Sequence, residues 1–290
     1  MRPLFSIPQY DAALFSHIHS LPTYLYADEN SSSIREIGTI AAIITCVHLV
    51  LLTIFQRINF NNNRDNDKTK ASKAAWTASY QLTNFLVNFY LGSMGICHEI
   101  LLSYEQQDSI EHKITGYIHT KHFAITQIAY QLWALPIGIL FIGEQTSMIV
   151  HHVAVICVAS TSAFLTCGFR YFIPFFYGVI EISSVPLSVM NAFKNNPDWI
   201  MRYPGVYANV RLLFGITFLL VRVVLWTPFY WEFISLAMLL WWSTEVGGTK
   251  VILGVFYAAS VVLTLLQYFW ASKIVSAMIK GGPKSTKKSG

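Results

Sequence analysis

The sequence predicts an all-α polytopic membrane protein with about seven transmembrane helices. Three observations predict it. Of 290 residues, 54% are hydrophobic and only 12% are charged, where a soluble domain carries about 25% charged residues. Apolar runs long enough to cross a bilayer, roughly 20 residues each, recur along the whole chain. Polar residues inside those runs step by three or four, which places them on single helical faces.

Residues 1–35 are broken by Pro3, Pro8 and Pro22 and by the polar stretch 28–33. They read as a lumenal N-terminal segment without a cleavable signal peptide. The first span follows at 36–58, then a basic loop at 59–75. Further spans are expected at 76–102, 121–143, 147–167, 169–193, 206–228 and 250–273. Segment 229–249, with Tyr230, Trp231, Trp241 and Trp242, is apolar but short. Trp and Tyr favour the membrane–water boundary, so it reads as a lumenal interfacial or re-entrant piece, the alternative being an eighth span. Residues 276–290 form a basic tail.

The cations set the orientation. Twelve lie in the loop 57–73, in the loop holding Lys194 and Arg202, and in the tail together with Lys273 just before it; six (Arg2, Arg35, Lys113, Lys121, Arg170, Lys250) lie on the opposite side. The positive-inside rule then places the C-terminus in the cytosol and the N-terminus in the lumen. Asn30-Ser31-Ser32 is the chain's one glycosylation sequon, and it falls on the expected lumenal side. The net charge of +5 follows from this arrangement, so no nucleic-acid partner is expected. Lys287 and Lys288 stand fourth and third from the C-terminus, the positions of a dilysine signal for retrieval to the endoplasmic reticulum by a coat. The alternative is a basic tail attracted to anionic lipid. Cys46, Cys97, Cys157 and Cys167 show neither metal-ligand spacing nor a disulfide framework. No metal and no cofactor is expected.

Ionisable residues inside the spans carry the functional signal, because each costs on the order of 2.5–3.5 kcal/mol in hydrocarbon. They are His151 and His152, Glu181, Arg211 and Arg222. Polar seams accompany them: Thr77, Gln81, Asn84 and Asn88; Gln127, Tyr130 and Gln131; Tyr177, Glu181, Ser184, Ser188 and Asn191; Tyr257, Ser260, Thr264 and Gln267. Seams of this kind serve helix packing or line a cavity, and the glutamate favours a polar-lined cavity. The depths expected along each helix bring His151, His152, Ser188, Asn191 and Arg211 into one cytosolic-half chamber. Glu181 is its floor, with Arg211 or Arg222 as counter-ion. Adjacent helical residues point about 100° apart, so one histidine faces a ligand while the other orients it or bonds a neighbouring helix. A histidine beside such a cavity can act as general base or as acyl-accepting nucleophile. The competing reading is a His/Glu/Arg network that fixes helix register.

The ordered motifs resemble the TLC-domain family, which includes the ceramide synthases and the translocation-associated membrane proteins. They are Lys73 and Trp76 before the second span, Gly116-Tyr117 before the third, and His151-His152 opening the fourth. Then come Glu181-Ile182-Ser183-Ser184-Val185-Pro186 with Asn191, Asn209…Phe214…Phe218…Arg222, and Gln267-Tyr268-Phe269-Trp270. The resemblance covers about 70–275 and implies a TLC-type bundle of six helices. It departs from the ceramide synthases where Gly178-Val179 replaces a His-Asp pair and where Ile118, His119, Thr120 and Lys121 follow Tyr117 without an aspartate.

Three functions are compatible with the sequence. The first is a protein of the endoplasmic reticulum that binds, senses or handles a membrane lipid and adjusts membrane composition. The second is an acyltransferase with an acyl-CoA donor and His151 or His152 as catalytic base. The third is a cargo or assembly factor cycling between endoplasmic reticulum and Golgi. No oligomeric state is indicated.

Overall fold

The computed structural model describes residues 27–62, 68–101, 109–165, 168–243 and 247–280. Lys287 and Lys288 lie outside the described residues. Every described element is helical. In chain order they are α1 (Ala27–Asn62), α2 (Lys68–Leu101), the short α3 (Ile110–Thr115), α4 (Lys121–Ile137) and α5 (Thr146–Phe164). After these come α6 (Ser184–Lys194), the short α7 (Pro197–Arg202), α8 (Pro204–Leu219), α9 (Trp226–Ser243) and α10 (Gly247–Lys280).

Among the described residues, six helical stretches are long and apolar enough to cross a membrane: 29–58, 112–142, 146–164, 174–194, 204–243 and 250–280. The expected span 76–102 is α2, which has the length but not the hydropathy, because Thr77, Gln81, Asn84 and Asn88 interrupt it. Buried among its neighbours, it does not need a lipid-compatible surface on every side. Many large apolar residues, such as Leu140, Val224 and Leu265, are more than half exposed, and a surface of that character suits lipid rather than water.

The helices close a ring. In order around it stand α2, the 174–194 segment, α8–α9, α10, α5 and α4. Helix α1 packs outside, across α2 and α4. The ring seals tightly between α2 and the 174–194 segment. A Cβ on Gly95 would sit 2.4 Å from the Val179 amide nitrogen and 2.6 Å from the Gly178 carbonyl carbon, so only glycine lets these two backbones meet.

Segment 229–249 is neither re-entrant nor a separate interfacial piece over its described residues. It continues α8 through a π turn, Leu220–Leu225, into α9. Helix α10 then runs back antiparallel. Gly215 faces Met278, Arg222 meets Gln267, Trp226 meets Thr264, Phe233 meets Phe256 and Trp241 bonds the Lys250 carbonyl. The tryptophans therefore mark one end of a long hairpin.

Among the described residues, three short π turns punctuate the ring: Gly138–Ile142, Pro174–Gly178 and Leu220–Leu225. The second passes into a 3-10 stretch, Val179–Ser183, before α6 begins. Residues 169–193, expected as one regular span, thus change helix type twice. Such insertions break the helical period and re-aim the side chains around them. Glu181 and Arg222 both sit in these irregular turns.

Candidate functional site

Glu181 and Arg222 meet at 3.3 Å, with side chains only 9% and 6% exposed. The pair is fully built. Glu181 accepts from Gln127 at 2.8 Å on one oxygen, and from Ser184 at 2.7 Å and Arg222 on the other. Arg222 also donates to Ser183 at 2.7 Å, Ser184 at 2.9 Å and Gln267 at 3.3 Å. A buried ion pair is tolerable only when its remaining donors and acceptors are occupied in this way.

From Glu181 a hydrogen-bonded chain crosses the ring. Gln127 on α4 turns its amide NH₂ to Glu181, so its carbonyl accepts from Gln131 one turn away, at 3.1 Å. Gln131 in turn presents its carbonyl to Nδ1 of His152. His152 Nε2 lies 3.0 Å from Glu144, whose other oxygen accepts from the Tyr80 hydroxyl at 2.7 Å. Direction is fixed from one end. An acceptor at Glu181 orients both glutamines, and these require the proton on Nδ1 of His152.

Sequence reasoning missed Glu144, because it lies between two spans. Its placement depends on a turn. Gly143 adopts φ +73°, in the left-handed region, and closes the π turn by donating to the Gly138 carbonyl; the Glu144 amide donates to the same carbonyl. The Glu144 carboxylate then folds over Gly138, where a Cβ would lie 2.8 Å from it. The signal in the sequence is Gly138 and Gly143 flanking an apolar run.

His152 is thus occupied at both nitrogens and cannot act on a ligand. His151 is different. Its ring packs edge-on against Trp270 at 5.5 Å and against His152 at 5.8 Å. Its Nδ1 has no hydrogen-bond partner among the described residues. The ring lines a cavity inside the helix ring.

The space among the residues of that cavity amounts to about 620 Å³, part of it open to the surroundings. Gln127, His151, Glu181 and Gln267 form one polar end. The walls beyond are aliphatic and aromatic, ending at Phe169, Phe172, Phe233 and Phe256. From His151 to Ser162, both on the wall, α5 advances eleven residues, about 16 Å. The cavity therefore extends from Glu181 toward the expected lumenal side, not into a cytosolic-half chamber.

The remaining expected site residues fall elsewhere. Ser184 and Arg222 stand behind Glu181 rather than on the wall. Asn84 accepts from Tyr130 at 3.0 Å, and Asn84 and Asn88 are buried in helix packing. Ser188 bonds back to the Ser184 carbonyl. Asn191 is half-buried on α6, and Asn30 is half-buried in the first turns of α1. Arg211 is exposed and lies over the Tyr207 ring. It shares a helical stripe with Arg222 but stands about 16 Å away along the axis, where α8 extends past the ring. Arg222, not Arg211, is the counter-ion.

A family model described as TLC domain matches residues 70–276. No match was found among curated proteins or among solved structures.

Proposed function

The chain belongs to the TLC-domain family, and from that premise and the cavity we propose that it binds and handles a membrane lipid inside its helix ring. The observation that carries this reading is the shape of the cavity. It is a long, mostly apolar chamber with His151, Gln127, Glu181 and Gln267 at one end. A lipid has the matching chemistry, with a hydrocarbon body and one polar end. The Glu181–Arg222 network holds the polar end rigid at little cost in solvation, since its bonds are already made. The proposed setting is the endoplasmic reticulum membrane, with Lys287 and Lys288 as the retrieval signal and the N-terminus lumenal. Support for this comes from the charge distribution and the position of the two lysines in the chain.

A second reading has one observation behind it. His151 presents an unpartnered ring on the cavity wall, as a general base for acyl transfer to a lipid hydroxyl or amine requires. Glu144, Gln131 and His152 would then serve to hold α5 in register.

The test is lipid mass spectrometry of cells expressing wild type, His151→Ala or neither, at matched protein levels. A lipid class that changes with wild type and not with the variant supports lipid handling at this site. Equal lipid profiles in all three cells contradict it.

A further inference from the structure

Resting on the lipid-binding reading, we infer that the cavity selects a lipid with an uncharged hydrogen-bonding head, a hydroxyl or an amide, against carboxylates and phosphates.

The wall chemistry points to the head. Among the wall residues there is no lysine or arginine; the one acid or base besides His151 and the tyrosines is Glu181. Arg222 is close but committed. It stands behind Glu181, and its Nε, Nη1 and Nη2 reach Ser183, Gln267, Ser184 and Glu181. An anionic head would meet the Glu181 carboxylate with no cation free to receive it. Recognition of phosphate or carboxylate uses open arginine forks or helix N-termini, and neither is presented here.

One unmade bond completes the picture. His151 Nδ1 is a buried atom without a hydrogen-bond partner among the described residues. Buried polar atoms are ordinarily paired, and a hydroxyl or an amide would pair this one.

The experiment uses the full chain in lipid nanodiscs and four probes of equal chain length: a long-chain alcohol, the corresponding fatty acid, the alkyl phosphate and the alkyl amine. Binding is read by competition against a radiolabelled alcohol. The alcohol should bind roughly a hundredfold tighter than the acid or phosphate, the scale of like-charge juxtaposition in a dry site. His151→Phe keeps the ring packing and should bring the alcohol down about tenfold without changing the folded fraction. Acid, phosphate or amine binding as tightly as the alcohol overturns the inference and leaves the lipid-binding reading standing. Uptake of none of the four by folded protein overturns both. Alcohol affinity unchanged in His151→Phe places the head elsewhere and overturns the inference.

Discussion

Replacing Glu181 with glutamine removes one charge and changes almost no volume. Glu181 accepts three hydrogen bonds, from Gln127, Ser184 and Arg222. Glutamine offers one oxygen and one NH₂ in the same place. Its NH₂ must then oppose either the Arg222 guanidinium or the Gln127 amide, and Arg222 is left buried without a counter-charge. Removing one partner of a buried ion pair costs about 3–5 kcal/mol, whereas removing both is often close to neutral. Glu181→Gln should therefore lose about that much, and Glu181→Gln/Arg222→Gln should lose less than Glu181→Gln alone. Unfolding by SDS titration in mixed micelles measures both. A double variant less stable than either single one, by the sum of their losses, would refute the pairing. The substitution carries a second signature. If Gln127 rotates to accept from the new amide, Gln131 rotates after it, and its NH₂ then faces Nδ1 of His152. Nδ1 of His152 must then accept instead of donate, a change readable in the ¹⁵N shifts of the imidazole.

Other outcomes follow from the same geometry. His152→Ala leaves Gln131 and Glu144 each short of a buried partner and should cost about 1–3 kcal/mol, whereas His151→Ala should leave unfolding nearly unchanged; the SDS titration distinguishes them. Gly95→Leu drives a side chain into the backbone at Gly178 and Val179 and should cost about 1–3 kcal/mol or more, seen as loss of monodisperse protein on size exclusion. Lys287→Ala/Lys288→Ala should move the protein out of the endoplasmic reticulum without altering its folded fraction, as judged by imaging and by the same chromatography.

Much of the ring was readable in the chain because lipid imposes a coarse rule: a run of about 20 apolar residues spans. The ion pair was readable for a related reason, since Glu181 had to find a cation at its own depth. The choice between Arg211 and Arg222 was not readable. Both lie on one stripe of α8, and only the axial position of the ring separates them. The division of labour between His151 and His152 followed from the angle between neighbouring helical positions, but which histidine faces the cavity depends on Gln131 and Glu144. Glu144 itself was hidden by the turn at Gly143, which folds a loop residue back between helices. The cavity's extent was also hidden. The α10 seam does reach the wall, at Ser260 and Gln267, whereas Asn84 and Asn88 of the α2 seam pack against helices, and much of the open space lies among Phe169, Phe172, Phe233 and Phe256. That 229–243 continues α8 was not readable, because aromatic composition does not reveal whether a helix continues through a π turn.

Photocrosslinking tests the central claim most directly. A long-chain alcohol bearing a diazirine near the end of its chain would be bound to the full protein in nanodiscs, irradiated, and mapped by peptide mass spectrometry. Adducts on Phe169, Phe172, Phe233 or Phe256, reduced by excess unlabelled alcohol, are the predicted result. Adducts confined to outward-facing residues such as Leu140, Val224 and Leu265, unaffected by competitor, would contradict a lipid held inside the ring.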